Sequence, residues 1–129
     1  MIETKYDLWG DIDQLTQSLS PDDILKEQAK LLKQKTEGRI CVDIHINKFE
    51  LEGELTINFY FKIPKLNNYI YDFLYVSRPL YAHYPARIFW NEQMFTVQSE
   101  NEFIQRLEAI FVDKFTRKMI QKYNRKEVV

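Results

Sequence analysis

Residues 39–63 read RICVDIHINKFELEGELTINFYFKI, and this stretch decides the fold. Ile40, Val42, Ile44 and Ile46 alternate with Arg39, Cys41, Asp43, His45 and Asn47. Further on, Leu55, Ile57, Phe59, Phe61 and Ile63 alternate with Thr56, Asn58, Tyr60 and Lys62. A period of two sends successive side chains to opposite faces of a pleated chain, so 39–47 and 54–63 read as strands with one apolar face each. Glu50–Gly53 separates them as a turn, which makes the pair a hairpin. Pro64 has no N–H to give to a ladder and ends the second strand.

Downstream, residues 69–77 form a third strand by the same rule. Strict alternation puts Tyr69, Tyr71, Phe73, Tyr75 and Ser77 on one face and Ile70, Asp72, Leu74 and Val76 on the other. Both faces are largely apolar, which suits a central strand covered on each side. Arg78-Pro79 breaks it, and 78–85 (RPLYAHYP) reads as an irregular connection. Two short strands follow at 86–90 and 94–97, around Asn91-Glu92-Gln93. Ser99-Glu100-Asn101-Glu102 is a capping box that opens a helix, with Ser99 and Glu102 each accepting the other's amide. Phe103, Leu107, Ile110 and Phe111 mark the inner face of that helix. Phe115, Met119, Ile120 and Tyr123 extend the stripe to about residue 123, with a break near Asp113 that divides it in two.

Upstream, Ser20-Pro21-Asp22-Asp23 is a helix start: a side-chain cap, a proline suited to the first turn and two acids at the positive end of the dipole. Ile24, Leu25, Gln28, Leu31 and Leu32 mark one face of the helix, and Gly38 supplies the left-handed stop. Trp9, Ile12, Leu15 and Leu19 suggest a shorter amphipathic helix at about 11–18. Helices and strands are segregated along the chain. The expected fold class is therefore α+β: a single domain over 1–129, an antiparallel meander of four to five strands, and N- and C-terminal helices packed on one face. Residues 1–10 and 124–129 are expected to be flexible ends.

Composition narrows the function classes. The 129 residues are 45% hydrophobic and 15% aromatic, with three glycines and four prolines, which excludes low-complexity and linker-like classes. Net charge is -1, against a dedicated nucleic-acid binder, which needs surplus positive charge. The charge is uneven: residues 1–23 hold six acids against Lys5, and residues 114–129 hold six bases against Glu127. Cys41 is the single cysteine, so an intrachain disulfide is impossible and a reducing compartment is the simplest fit. The acidic start lacks the blocks of a signal peptide, and no apolar run approaches the roughly 20 residues that span a bilayer. The expected location is cytoplasmic.

No constellation carries obvious chemistry. Cys41, Asp43 and His45 share a strand face, but Cys41 and His45 lie ~13 Å apart on a regular strand, too far for a nucleophile and its base. One cysteine and two distant histidines offer no metal spacing, and the isolated Gly10, Gly38 and Gly53 form no phosphate loop. Glu50, Glu52 and Glu54 surround a turn and read as its solvated acids. No catalytic residue, metal or cofactor is expected. The favoured reading is a small non-catalytic binding protein, of a size and acidity seen in inhibitor or immunity proteins. Its contact face is the aromatic row Tyr69, Tyr71, Phe73 and Tyr75, and its partner is another protein or a second copy of itself. Two alternatives stand beside it. Arg78, Tyr81, His83 and Tyr84 could form a small-ligand or catalytic site on the 78–85 connection. The basic C-terminal helix could bind nucleic acid, and affinity that falls steeply with salt would reveal it.

Overall fold

The structure is a computed structural model, and it describes residues 19–125. The expected helix at 11–18 lies outside these residues. Helix α1 (Pro21–Lys35) starts as its sequence predicts: Ser20 Oγ accepts the Asp23 amide at 3.1 Å. Its end is tighter than a single glycine stop. Thr36 Oγ1 donates to the Leu32 carbonyl at 2.9 Å and accepts the Ile40 amide at 3.1 Å, while Glu37 and Gly38 both take positive φ. The chain thus turns sharply from α1 into the sheet.

Five strands follow as β1 (Cys41–Phe49), β2 (Glu54–Ile63), β3 (Tyr69–Pro79), β4 (Ala86–Trp90) and β5 (Gln93–Val97). They form one antiparallel sheet in chain order, the meander that the spacing of strands and turns predicts. Helices α2 (Glu100–Phe111) and α3 (Lys114–Tyr123) complete the α+β domain. Ser99 Oγ accepts the Glu102 amide at 3.2 Å. Glu102 Oε1 reaches back to the Gln98 amide at 2.7 Å rather than to that of Ser99, so the capping box closes one residue earlier than expected. Asp113 caps α3 and makes the break between the two helices. At the far end of α3, Arg39 Nε donates to both the carbonyl and the Oδ1 of Asn124, tying the helix terminus to the start of β1.

The helices lie on one face of the sheet, and the core sits between them and it. Along β2, Leu55, Ile57, Phe59, Phe61 and Ile63 are all buried, and the residues between them are half-buried, as the period of two requires. Phe103, Leu107 and Ile110 of α2 and Met119 and Tyr123 of α3 close over them. Each fully buried side chain of this kind contributes roughly 1.5–3 kcal/mol.

The third strand departs from strict alternation. Phe59 pairs with Leu74, but the next residue, Tyr60, pairs with Asp72, so Phe73 is an extra residue in β3. This β-bulge reverses the facing of the strand halfway along. Tyr69, Tyr71 and Phe73 point to the helices, and Tyr75 and Ser77 point the other way. Ring contacts confirm the split. Phe73 stacks on Phe61 at 4.6 Å and lies 6.3 Å from Phe111 of α2, and Tyr69 lies 6.1 Å from Tyr123 of α3. Tyr75 instead stacks on Phe89 of β4 at 4.4 Å. The physical reason is visible in the residues. With strict alternation Asp72 would share a face with Leu74 and Val76, so either the carboxylate would be buried or two aliphatic side chains would be exposed. The bulge buries Phe73, Leu74 and Val76 together and leaves Asp72 exposed.

Candidate functional site

Among the described residues, nothing covers the second face of the sheet. The expectation that β3 is covered on both sides is met on the helix side alone. The open face is built by Cys41, Asp43 and His45 of β1, Tyr60 and Lys62 of β2, Tyr75 and Ser77 of β3, Arg87 and Phe89 of β4 and Met94 of β5, as the register places them.

Two features organise it. The first is apolar. The Tyr75 and Phe89 rings lie nearly parallel, 10° apart, with Met94 beside them across the β4–β5 pair. Tyr75 and Met94 are exposed, the latter by 51%. With Asp72, Trp90 and the Asn91–Glu92 turn they line a shallow depression of about 450 Å³. The depression lies where β4 stops short. Pairing between β3 and β4 covers Leu74–Ser77, so on this flank Tyr69–Phe73 has no described strand beside it.

The second feature is polar. Glu54 Oε1 accepts the Ser77 hydroxyl at 2.6 Å, and Arg87 Nη2 donates to both oxygens of Glu54 at 3.1 Å. Glu54 was read as one of three solvated turn acids, but the register brings it across the sheet to Arg87 instead. Hairpin spacing alone does not reveal this, because the partner strand is thirty residues away in the chain. The serine hydroxyl is spent on a carboxylate already neutralised by an arginine, so the cluster is an anchored ion pair. It lacks the free base that would activate a nucleophile.

The predicted row Tyr69, Tyr71, Phe73 and Tyr75 is not one surface. The bulge sends the first three to the helix side, where Phe73 is buried, and leaves Tyr75 alone on the open face. Burial, followed by the neighbouring Tyr123, Tyr69 and Asp72, raises the pKa of the Tyr71 hydroxyl above the usual phenol value. Sequence reading missed Phe89, which pairs with Tyr75, and Met94, which pairs with Phe89 in turn. Their positions, one and two strands away, become visible only with the register.

The residues of the 78–85 connection do not converge on a pocket. Arg78 Nε and Nη2 hold the two oxygens of Asp22 at 2.8 and 3.0 Å. Its Nη1 donates to the carbonyls of Pro79, Leu80 and Ala82. Both partners of this ion pair are nearly buried, with side-chain exposures of 10% and 14%. Burial raises the Asp22 pKa, but hydrogen bonds from Arg78 and then its charge outweigh that and hold the carboxyl below its ordinary value. The guanidinium is therefore consumed in bracing the connection to the start of α1. The Tyr84 hydroxyl donates to the Leu19 carbonyl at 3.1 Å, and its ring meets Phe103 edge-on. Burial, then the charges of Glu100 and Asp22, push the Tyr84 hydroxyl far above the usual phenol value. His83 sits edge-on to Tyr84 at 6.3 Å, and Tyr81 is 91% exposed.

The remaining candidates are as widely spread. His45 meets the Tyr60 ring edge-on at 5.2 Å, and the Cys41 thiol lies 3.6 Å from the Gly38 carbonyl at the far end of the same strand. No group of three or more His, Cys, Asp or Glu able to hold a metal occurs among the described residues. Lys114, Arg117, Lys118, Lys122 and Arg125 are exposed on and just beyond α3. No helix among the described residues is long and apolar enough to cross a membrane. Comparison with protein-family models, curated proteins and solved structures finds no match to this chain.

Proposed function

We propose that the protein is a small binding protein that acts by protein–protein contact through the open face of its sheet, without catalysis. The observation that carries this reading is the Tyr75–Phe89 stack with Met94 beside it, exposed on a face that no described element covers. Flat aromatic pairs with an adjacent thioether are typical anchors of protein interfaces, because they bury much area at little entropic cost. The Glu54–Arg87–Ser77 cluster next to it supplies a polar margin that is already ordered before contact.

The charges that line this face are of both signs: Asp43, Glu54 and Asp72 against Lys62 and Arg87. A face so balanced is not repelled by its own copy, so a second chain is the first partner to test. Light scattering across a concentration series measures the mass of the full chain and of Tyr75→Ala/Phe89→Ala. In parallel, the same two proteins are immobilised and exposed to native lysate. The expected result is a dimer, or a specific captured protein, that the double substitution removes. A monomer at every concentration, together with identical capture by both proteins, overturns the reading.

A further inference from the structure

We propose that the cleft between α1 and α2 is a docking groove for an amphipathic helix of a partner protein whose flanks carry lysine and arginine. The groove lies on the helix side of the sheet, away from the open face, and stands on its own observations. It has a volume of about 560 Å³ and takes one stripe from each helix. From α1 come Asp23, Ile24, Glu27 and Gln28, and from the α2 side Ile104, Leu107, Glu108, Phe111 and Val112, both at helical spacing. Ile24 and Leu107 form a buried floor. Leu19, Ile104 and Val112 stand above it with 46%, 40% and 54% of their surface exposed. Exposed aliphatic side chains gathered along a groove are unusual for an unpartnered surface and mark a contact site.

Shape selects a helix as the occupant. The walls are two helices whose backbone groups are already bonded, so no free edge is offered to an added strand. Parallel ridges of side chains accept the ridges of a third helix. From Ile104 to Val112 the wall runs eight residues, about 12 Å at helical rise, which matches two to three turns of a guest. Anchors at positions i, i+3 or i+4, and i+7 would fill it.

Charge selects the flanks. The groove lining contains three carboxylates, Asp23, Glu27 and Glu108, and no lysine or arginine. None of the three pairs with a described cation. A guest with basic flanks gains their attraction and an acidic one is repelled. Residues 1–18 of this chain carry Glu3, Asp7, Asp11 and Asp13 against Lys5, which disfavours them as the occupant.

The test uses the full chain and two fluorescent helical peptides of about 14 residues, one built of leucine and lysine and the other of leucine and glutamate, compared by anisotropy. The lysine peptide is expected to saturate and to bind at least about tenfold tighter than the glutamate peptide, with affinity that falls as salt rises. Glu27→Lys/Glu108→Lys should reverse that preference. Ile104→Ser should weaken both peptides, and circular dichroism should show the native fold retained, because all three positions are exposed. Amide shifts on titration should cluster at Ile104–Val112. The proposal is overturned if the lysine peptide does not saturate, if the two charge reversals leave the preference unchanged, or if the shifts cluster on β3 and β4. Competition by a peptide of residues 1–18 overturns it too, since the occupant would then be the chain itself.

Discussion

Replacing Arg78 by methionine is the sharpest probe of how this fold is held together. The side chain is 10% exposed and its bidentate partner Asp22 14%. Methionine keeps much of the stem and its volume but leaves a buried carboxylate and the Pro79 and Ala82 carbonyls without their donor. Removing one partner of a buried ion pair costs about 3–5 kcal/mol, because the remaining charge is left uncompensated. For a domain of this size that is a fall in melting temperature on the order of 10–20 °C. Urea denaturation at neutral pH measures it. The pH dependence supplies an independent check. In the native protein Asp22 titrates below its ordinary value. Its contribution is therefore complete above the unfolded value of about 3.9 and is lost as pH falls through the lower folded value. Without Arg78 the carboxyl loses the two largest influences that hold its pKa down and keeps only its own backbone hydrogen bond and the charge of Lys26 against burial, so its pKa rises from the native value and the variant loses less stability in acid than the native protein does. The gap between the two proteins should narrow from neutral pH towards pH ~3.5. A loss under about 1 kcal/mol at neutral pH, or a gap that widens in acid, would refute the assignment of Arg78 as a buried brace.

Other outcomes follow from particular contacts. Phe73→Ala should cost about 3–5 kcal/mol by denaturation, as expected for a core phenylalanine, whereas Tyr75→Ala should cost under about 1. Equal losses would contradict the bulge that separates them. Glu92 holds φ at 62° in the two-residue turn between β4 and β5, with Asn91 at 51°. Glu92→Gly should therefore stabilise the protein by about 0.5–1 kcal/mol, and a destabilised variant would count against this turn geometry. Alkaline spectrophotometric titration should show one tyrosine ionising well after the rest, a step absent in Tyr84→Phe. The raised Tyr84 value means that its contribution to stability persists below the unfolded pKa of about 10 and fades as pH rises through the folded one. If every tyrosine ionises together, the Tyr84 hydroxyl is not held as described, half-buried and bonded to the Leu19 carbonyl.

Much of the architecture was legible because the deciding signals are local. Alternation in 39–63 needs only two consecutive turns of pleat to declare itself, and β1 and β2 form at nearly those bounds. Ser20, Ser99 and Asp113 cap their helices through amides two or three residues away, so a short window suffices to find them. The candidate sites depended on longer reach. Arg78 was read as a ligand-binding residue because its partner Asp22, fifty-six positions earlier, meets it only when α1 lies against the end of β3. Glu54 was read as a solvated turn acid because Arg87 is two strands away, across β3.

Sequence by itself determined which of the described segments are helix or strand, their bounds to within about two residues, and that four to five antiparallel strands lie beneath helices on one side, since each follows from periodicity and capping within a few residues. Tertiary structure alone decided what the surfaces are made of. The extra residue at Phe73 exists because Leu74 and Val76 must be buried while Asp72 stays in water, and that demand arises only when β3 is pressed between its neighbours and the helices. One inserted residue moved three aromatic rings to the core side and left Tyr75 to pair with Phe89, so the contact face was settled by packing across the sheet.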